Sequence, residues 1–253
     1  MARDLVVIGG SAGAIEPLRA IIAALPRDFP AAVMIVVHIP AESYSALPAI
    51  LQRGTGLRVA HAIHGERLSP GRVCVAPPDQ HLLVHDGRVR LWRGPRENHH
   101  RPAIDVLFRT AARWFGPRVV GVALSGALDD GAAGMYAIKS RGGIVIVQDP
   151  EDALYSSIPQ TIIDNVAVDH VAPVGDLVGL LLRKVAEPAE EEGIMTDKPT
   201  EPELPELEPL ELDPEIDALR QERAGPASGF TCPDCHGALW EVTRERSSVI
   251  AAG

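Results

Sequence analysis

At 253 residues and 46% apolar side chains, the chain suits one α/β domain with an appendage, or two small domains. Its formal net charge of −10 is unevenly spread: residues 1–186 carry 19 Lys and Arg against 17 Asp and Glu, whereas residues 187–217 carry 13 acidic side chains and one lysine. A near-neutral body lacks the clustered basic surface that nucleic-acid binding needs. No apolar run approaches the roughly 18 residues of a membrane span, which argues against membrane insertion. The opening run is interrupted by Gly9-Gly10 and does not read as a signal peptide. Three cysteines, two of them in one C-x-x-C, make no disulfide framework and point to a reducing, cytoplasmic setting.

Taken in chain order, the first element is an apolar run over 5–8 that leads into Gly9-Gly10-Ser11-Ala12-Gly13. This is a G-x-S-x-G pattern between a strand and a helix, the setting in which a serine hydroxyl is presented on a sharp turn. A Gly-rich strand-to-helix turn also serves as a phosphate cradle or as plain packing. After it, Ile15, Leu18, Ile21, Ile22 and Leu25 fall on one helical face. A second strand, 33–37, runs straight into His38 and is stopped by Pro40. Residues 72–76 and 82–91 read as short antiparallel strands, with Asp86-Gly87 as the hairpin turn. Over 102–115, Ile104, Leu107, Phe108, Ala111 and Trp114 or Phe115 share a helical face. Strands are then expected at 119–124, 144–147 and 166–168.

These strands are Val/Ile-rich and apolar throughout, as in a parallel sheet covered on both faces. The alternation predicts a doubly wound, mostly parallel α/β sheet with a short antiparallel hairpin, spanning residues 1–185. Residues 186–224 are rich in Pro, Glu and Leu and read as a disordered acidic linker, with a short helical turn over 217–223. The last segment, 225–253, holds Cys232-Pro233-Asp234-Cys235-His236. Cys232 and Cys235 have the spacing of half a zinc site, but a structural zinc needs four ligands. Cys74, in a strand, reads as a small buried side chain.

A serine needs a base and a group to orient that base. Ser11 and His38 both follow the carboxyl ends of strands, and so does the loop Ser125-Gly126-Ala127-Leu128-Asp129-Asp130-Gly131 after 119–124. Functional groups of open parallel sheets gather at that edge. Individually, His38 also fits a buried histidine bonded to a backbone carbonyl, and Asp129 or Asp130 a cap for the helix that begins near Gly131. The three together match a nucleophile, a base and an acid in the chain order Ser, His, Asp, which differs from the usual α/β-hydrolase order.

Residues 3–184 resemble the catalytic domain of the CheB-type protein-glutamate methylesterases that act on chemotaxis receptors. The resemblance rests on ordered motifs: Ile8-Gly9-Gly10-Ser11-Ala12-Gly13, Val36-Val37-His38-Ile39-Pro40, Ala76-Pro77-Pro78-Asp79-Gln80-His81-Leu82, His100-Arg101-Pro102-Ala103-Ile104-Asp105-Val106-Leu107-Phe108 and Leu124-Ser125-Gly126-Ala127-Leu128-Asp129-Asp130-Gly131. It implies Ser11 as nucleophile, His38 as base and Asp130 as its partner, with Ala12, Ala127 and His100 in contact with substrate. It implies hydrolysis of glutamate methyl esters on receptor helices and deamidation of glutamine, without a cofactor. The implied partners are methylated receptors, a cognate methyltransferase and, because the chain opens on the first strand of the catalytic domain, a receiver domain on a separate protein. Ala127 and Leu128 stand where the family usually has Met and Gly, Ala14 where a glycine is usual, and Ser157-Ile158-Pro159 where Gly-Met-Pro is usual. Two further readings stay open on sequence: a non-catalytic signalling scaffold of the same fold, and a nucleotide-binding domain using the Gly9–Gly13 turn.

Overall fold

The computed structural model describes residues 2–40 and 45–189 with their side chains, together with the backbone of three strands between 227 and 252. It divides into two compact units, Met1–Glu192 and Gly193–Gly253. In the first, nine strands and six helices follow one another as β1 (Leu5–Gly10), α1 (Ile15–Ala24), β2 (Ala32–Val37), α2 (Leu47–Gln52), β3 (Arg58–His61), β4 (Arg72–Val75), β5 (His81–His85), β6 (Arg88–Trp92), α3 (Ile104–Phe115), β7 (Val119–Ala123), α4 (Ala132–Ser140), β8 (Ile144–Gln148), α5 (Ser157–Asn165), β9 (His170–Ala172) and α6 (Val174–Ala186). In the second, β10 (Ala227–Thr231), β11 (Ala238–Arg244) and β12 (Ser247–Ala252) form an antiparallel sheet in that order. Of the linker expected over 186–224, Ala186 closes α6 and residues 187–189 are described, whereas 190–224, the 217–223 turn, Cys232 and Cys235 lie outside the described residues.

Seven strands of the first unit form one sheet in the order β3-β4-β2-β1-β7-β8-β9, and every neighbouring pair is parallel. Alternate side chains enter two separate cores, which is why the strands read as unbroken apolar runs. Leu5, Val7, Met34 and Val36 pack with the apolar faces of α3, α4 and α5. Val6, Ile8, Val33 and Ile35 pack with those of α1, α2 and α6. The fold is therefore a doubly wound α/β sheet. From β1 the chain winds towards β2, and from β7 towards β8, so the winding reverses between the adjacent strands β1 and β7. That reversal opens a crevice at the carboxyl edge, where α/β sheets hold their sites.

Three expectations are corrected. Residues 72–76 do not belong to the hairpin: β4 is a parallel strand between β2 and β3. Its side chains are buried on both faces, with Val73 and Val75 in one core and Cys74 in the other. Sequence patterning does not separate a short buried parallel strand from a hairpin arm, because both are short apolar runs. The hairpin is β5–β6, turned by Asp86 (φ 46°) and Gly87 (φ 68°), both left-handed as a two-residue hairpin loop requires. Residues 166–168 are not a strand. The Val166 N–H donates to the Ile162 carbonyl at the end of α5, and the edge strand starts at His170. Val166 is apolar because it fills the core from a connection. On α1, Leu18, Ile21 and Ile22 are buried as expected, as is Leu25 just past its end, but Ile15 is 43% exposed at the carboxyl edge. Among the described residues, no helix is long and apolar enough to cross a membrane.

Candidate active site

Ser11 lies immediately past β1. Its N–H donates to the Ser125 carbonyl at 2.9 Å, and its own carbonyl accepts from the Ala14 N–H at 3.1 Å. Gly13, at φ 78°, supplies the left-handed residue this turn needs. Across the crevice, a Cβ on Gly126 would stand 2.9 Å from Ser11 Cβ, so glycine there makes room for the serine. Ser125 braces the two loops. Its Oγ donates to the Ala12 carbonyl at 2.8 Å and accepts from the Tyr155 N–H at 2.9 Å, while its N–H donates to Gln148 Oε1 at 2.9 Å. Among the described residues, no acceptor takes the backbone N–H of Ala12 or of Ala127.

His38, past β2, brings the remaining groups together. Its Nδ1 lies 3.0 Å from Ser11 Oγ and its Nε2 lies 2.7 Å from Asp130 Oδ2. An ionised carboxylate only accepts, so Nε2 carries the proton and Nδ1 presents its lone pair to the serine hydroxyl. The structure thus joins Ser11, His38 and Asp130 in one hydrogen-bonded chain. Asp129, by contrast, is exposed.

Asp130 is wholly buried and accepts four hydrogen bonds. Oδ2 takes His38 and the Ile104 N–H, each at 2.7 Å. Oδ1 takes the Asp105 N–H at 3.0 Å and Asn98 Nδ2 at 2.9 Å. Burial pushes its pKa up, but the His38 and Ile104 bonds outweigh burial and hold the carboxyl below its ordinary value. Asp130 does not cap α4, the helix after Gly131; it caps α3, whose own N-cap residue, Ala103, has no side chain to do so.

One turn delivers two more side chains. Asn98 (φ 49°) and His99 (φ 66°) are both left-handed, and Glu97 and His100 exchange backbone hydrogen bonds at 3.1 and 2.8 Å. Glu97 also pairs with Arg109 of α3. The turn sends Asn98 into Asp130 and stacks the His100 ring on His38, with centroids 3.5 Å apart and planes 10° from parallel. Burial, followed by the proximity of His38, lowers the His100 pKa to about 4, so His100 is a neutral plate at neutral pH. Asn98, Asp105, Ser125 and Gln148 support the site without having been singled out as site residues in the sequence. Ser125 and Asp105 sit inside motifs that carry the family resemblance, Gln148 closes β8, and Asn98 lies in an irregular segment with no periodic signal.

A cleft of about 600 Å³ opens beside Ser11, walled by Ala12, Ile15, Ile39, Pro40, Leu47 and Ile50. The apolar wall explains why Ile15 is left out of the core. Among the described residues, no group of three or more His, Cys, Asp or Glu is placed to hold a metal ion.

Residues of the first unit are similar to known proteins. Residues 6–181 match the family model described as CheB methylesterase. A Leptospira interrogans protein, whose name gives protein-glutamate methylesterase and protein-glutamine glutaminase activities provisionally, is 37% identical over 181 residues, covering 71% of this chain and 94% of that protein. Protein-glutamate methylesterase/protein-glutamine glutaminase 5 of Myxococcus xanthus is 38% identical over 188 residues, covering 73% of this chain and 54% of that one. Among solved structures, the Thermotoga maritima CheB methylesterase catalytic domain superposes with a TM-score of 0.69 at 33% identity, covering 72% of this chain and 99% of that domain.

Proposed function

The chain belongs to the CheB methylesterase family, and from that membership we propose that it hydrolyses glutamate methyl esters on receptor helices through Ser11, His38 and Asp130. The observation that carries this reading is His38, which bridges Ser11 at 3.0 Å and the buried Asp130 at 2.7 Å. Ser11 Oγ attacks the ester carbonyl as His38 Nδ1 takes the hydroxyl proton. Asp130 holds the Nε2–H tautomer and stabilises the imidazolium that forms. The amides of Ala12 and Ala127 are the donors assigned to the oxyanion, a contribution typically worth about 10²–10³ in rate per donor. His38 returns its proton to departing methanol, leaving an acyl-serine. Water, deprotonated by the same imidazole, then releases the glutamate carboxylate and restores Ser11.

The same steps with ammonia leaving convert glutamine to glutamate, and this is the second activity we assign. Neither path calls on a metal or organic cofactor. His100 lies against one face of the base, and the apolar cleft beside Ser11 suits the side of a receptor helix. The partners this reading implies are methylated receptors and their methyltransferase.

A fluorophosphonate probe tests the nucleophile, and methanol release from methylated receptor membranes tests the substrate. Labelling should vanish in Ser11→Ala and fall at least about 10³-fold in His38→Ala and Asp130→Ala, the scale on which triad members act. The exposed Asp129→Ala should stay within about twofold of wild type, as befits a residue remote from the proton path. A chain that the probe does not label, or that labels equally well as Ser11→Ala, would sink the proposal.

A further inference from the structure

The reaction above uses Asp130 and leaves the nearest carboxylate, Asp105, without a part. Asp105 is 5% exposed and lies on the first turn of α3. Its Oδ1 accepts from the Gly134 N–H of α4 at 2.6 Å, while Asp130, in the loop leading to α4, accepts from the first N–H groups of α3. The two helices therefore exchange caps, each through a buried carboxylate supplied by the other's segment. Asn98 Nδ2 stands 2.9 Å from Asp105 Oδ2 and 2.9 Å from Asp130 Oδ1, so one amide bridges both acids.

The groups facing Asp105 come from every element around it. Asp130 and the Gly134 N–H face it from the loop and α4, Asn98 from its turn, and Arg109, paired with Glu97, from further along α3. Asp129 and Tyr136 line the same cleft of about 430 Å³. Burial first, and then the Asp130 charge, push the Asp105 pKa up to about 6, against the opposing bond from Gly134. Asp105 thus changes charge just below neutrality, one amide away from the carboxylate that holds the base.

We propose that Asp105 is a positioning residue for the Ser11–His38–Asp130 chain: it fixes Asp130 through the exchanged caps and through Asn98, and its own charge sets the potential at the His38–Asp130 bond. The inference rests on the assignment of Ser11 as nucleophile made above. A residue that only packed α3 against α4 would alter stability and leave the pH dependence of the reaction where it was.

The test is the rate of fluorophosphonate labelling of the full chain between pH 5 and 9. In Asp105→Asn the Gly134 acceptor is kept and a negative charge is removed. The base then loses its proton more easily, and the acid limb of the profile should move down by about 0.5 pH unit, with a plateau about tenfold lower. Asn98→Ala, at an exposed position of the left-handed turn, strips a donor from both acids. Their charge is then less compensated, and the acid limb should move up by a similar amount, about 0.5 pH unit. Should Asp105→Asn fail to fold, Asp105→Ser, which also removes the charge, takes its place with the same downward shift expected. A label that depends on Ser11, with an acid limb within about 0.1 pH unit of wild type in the folded Asp105 variant, overturns the inference and leaves the nucleophile assignment standing. A label that does not depend on Ser11 overturns that assignment, and the inference with it.

Discussion

At Asp105 and Asp130, two buried carboxylates that share one amide donor have opposite titration behaviour. Asp130 is stabilised as an anion by its bonds, so its contribution to folding is present above the unfolded-state pKa and lost as pH falls through its lowered folded value. Asp105 is raised to about 6 from 3.8, so the folded chain keeps a proton that the unfolded chain releases. Stability from Asp105 is therefore full below about pH 4 and falls as pH rises towards about 6. The loss should be on the order of 1–3 kcal/mol, since each pKa unit corresponds to about 1.4 kcal/mol. Urea unfolding of wild type and Asp105→Asn at pH 4 and pH 6.5 measures it: the difference in stability between the two proteins should shift in favour of the variant at the higher pH. An unchanged difference would show that Asp105 titrates as an ordinary carboxylate. Ser11 and His38 were legible from their place at strand ends. The choice of Asp130 over Asp129 came from the family resemblance, and its physical reason is burial, which a linear pattern of two adjacent acids does not carry.

Among the elements, α3 organises the site. Its N-terminus holds Asp130, and its apolar face packs directly on β1, which ends one residue before Ser11. The contact is close because Gly9 has no side chain: a Cβ there would stand 2.3 Å from Ile104 Cγ2 and 2.9 Å from Phe108 Cζ. Gly9→Ala should thus push the start of α3 away from the sheet and carry Asp130 with it. Overpacking of this kind costs about 1–3 kcal/mol. Thermal unfolding should show that cost, and fluorophosphonate labelling should slow at least about tenfold, as misplacement of a catalytic group implies. A stable Gly9→Ala chain with full labelling would show that α3 tolerates displacement without disturbing the site. The helix itself was readable from its periodicity, and β1 from its apolar run. That β4 joins the parallel sheet while β5 and β6 form a separate hairpin was not, because short apolar strands look alike before their partners are known.

On the scale of the whole molecule, the first unit is closed at its ends by Arg3. Its guanidinium donates to the carbonyls of Glu187 and Pro188, each at 3.1 Å, and more weakly to that of Lys184 at 3.4 Å, while Ala2 bridges Pro188. A chain ending at Ala189 should keep the thermal midpoint and the labelling rate of the first unit. One ending at Val185 leaves the buried Arg3 without two acceptors and should lose about 2–4 kcal/mol, the cost of a buried cation stripped of its bonds. Equal stability of the two truncations would rule out Arg3 as the closing contact. The sequence by itself determined the class of this fold and the edge at which Ser11 and His38 emerge, because burial on both faces and strand-to-helix alternation are written in consecutive residues. Only the tertiary structure decided which side chains surround His38. Asn98, His100 and Asp105 reach His38 and Asp130 through a left-handed turn and a helix N-terminus whose positions depend on contacts between distant segments, and such contacts have no period along the chain.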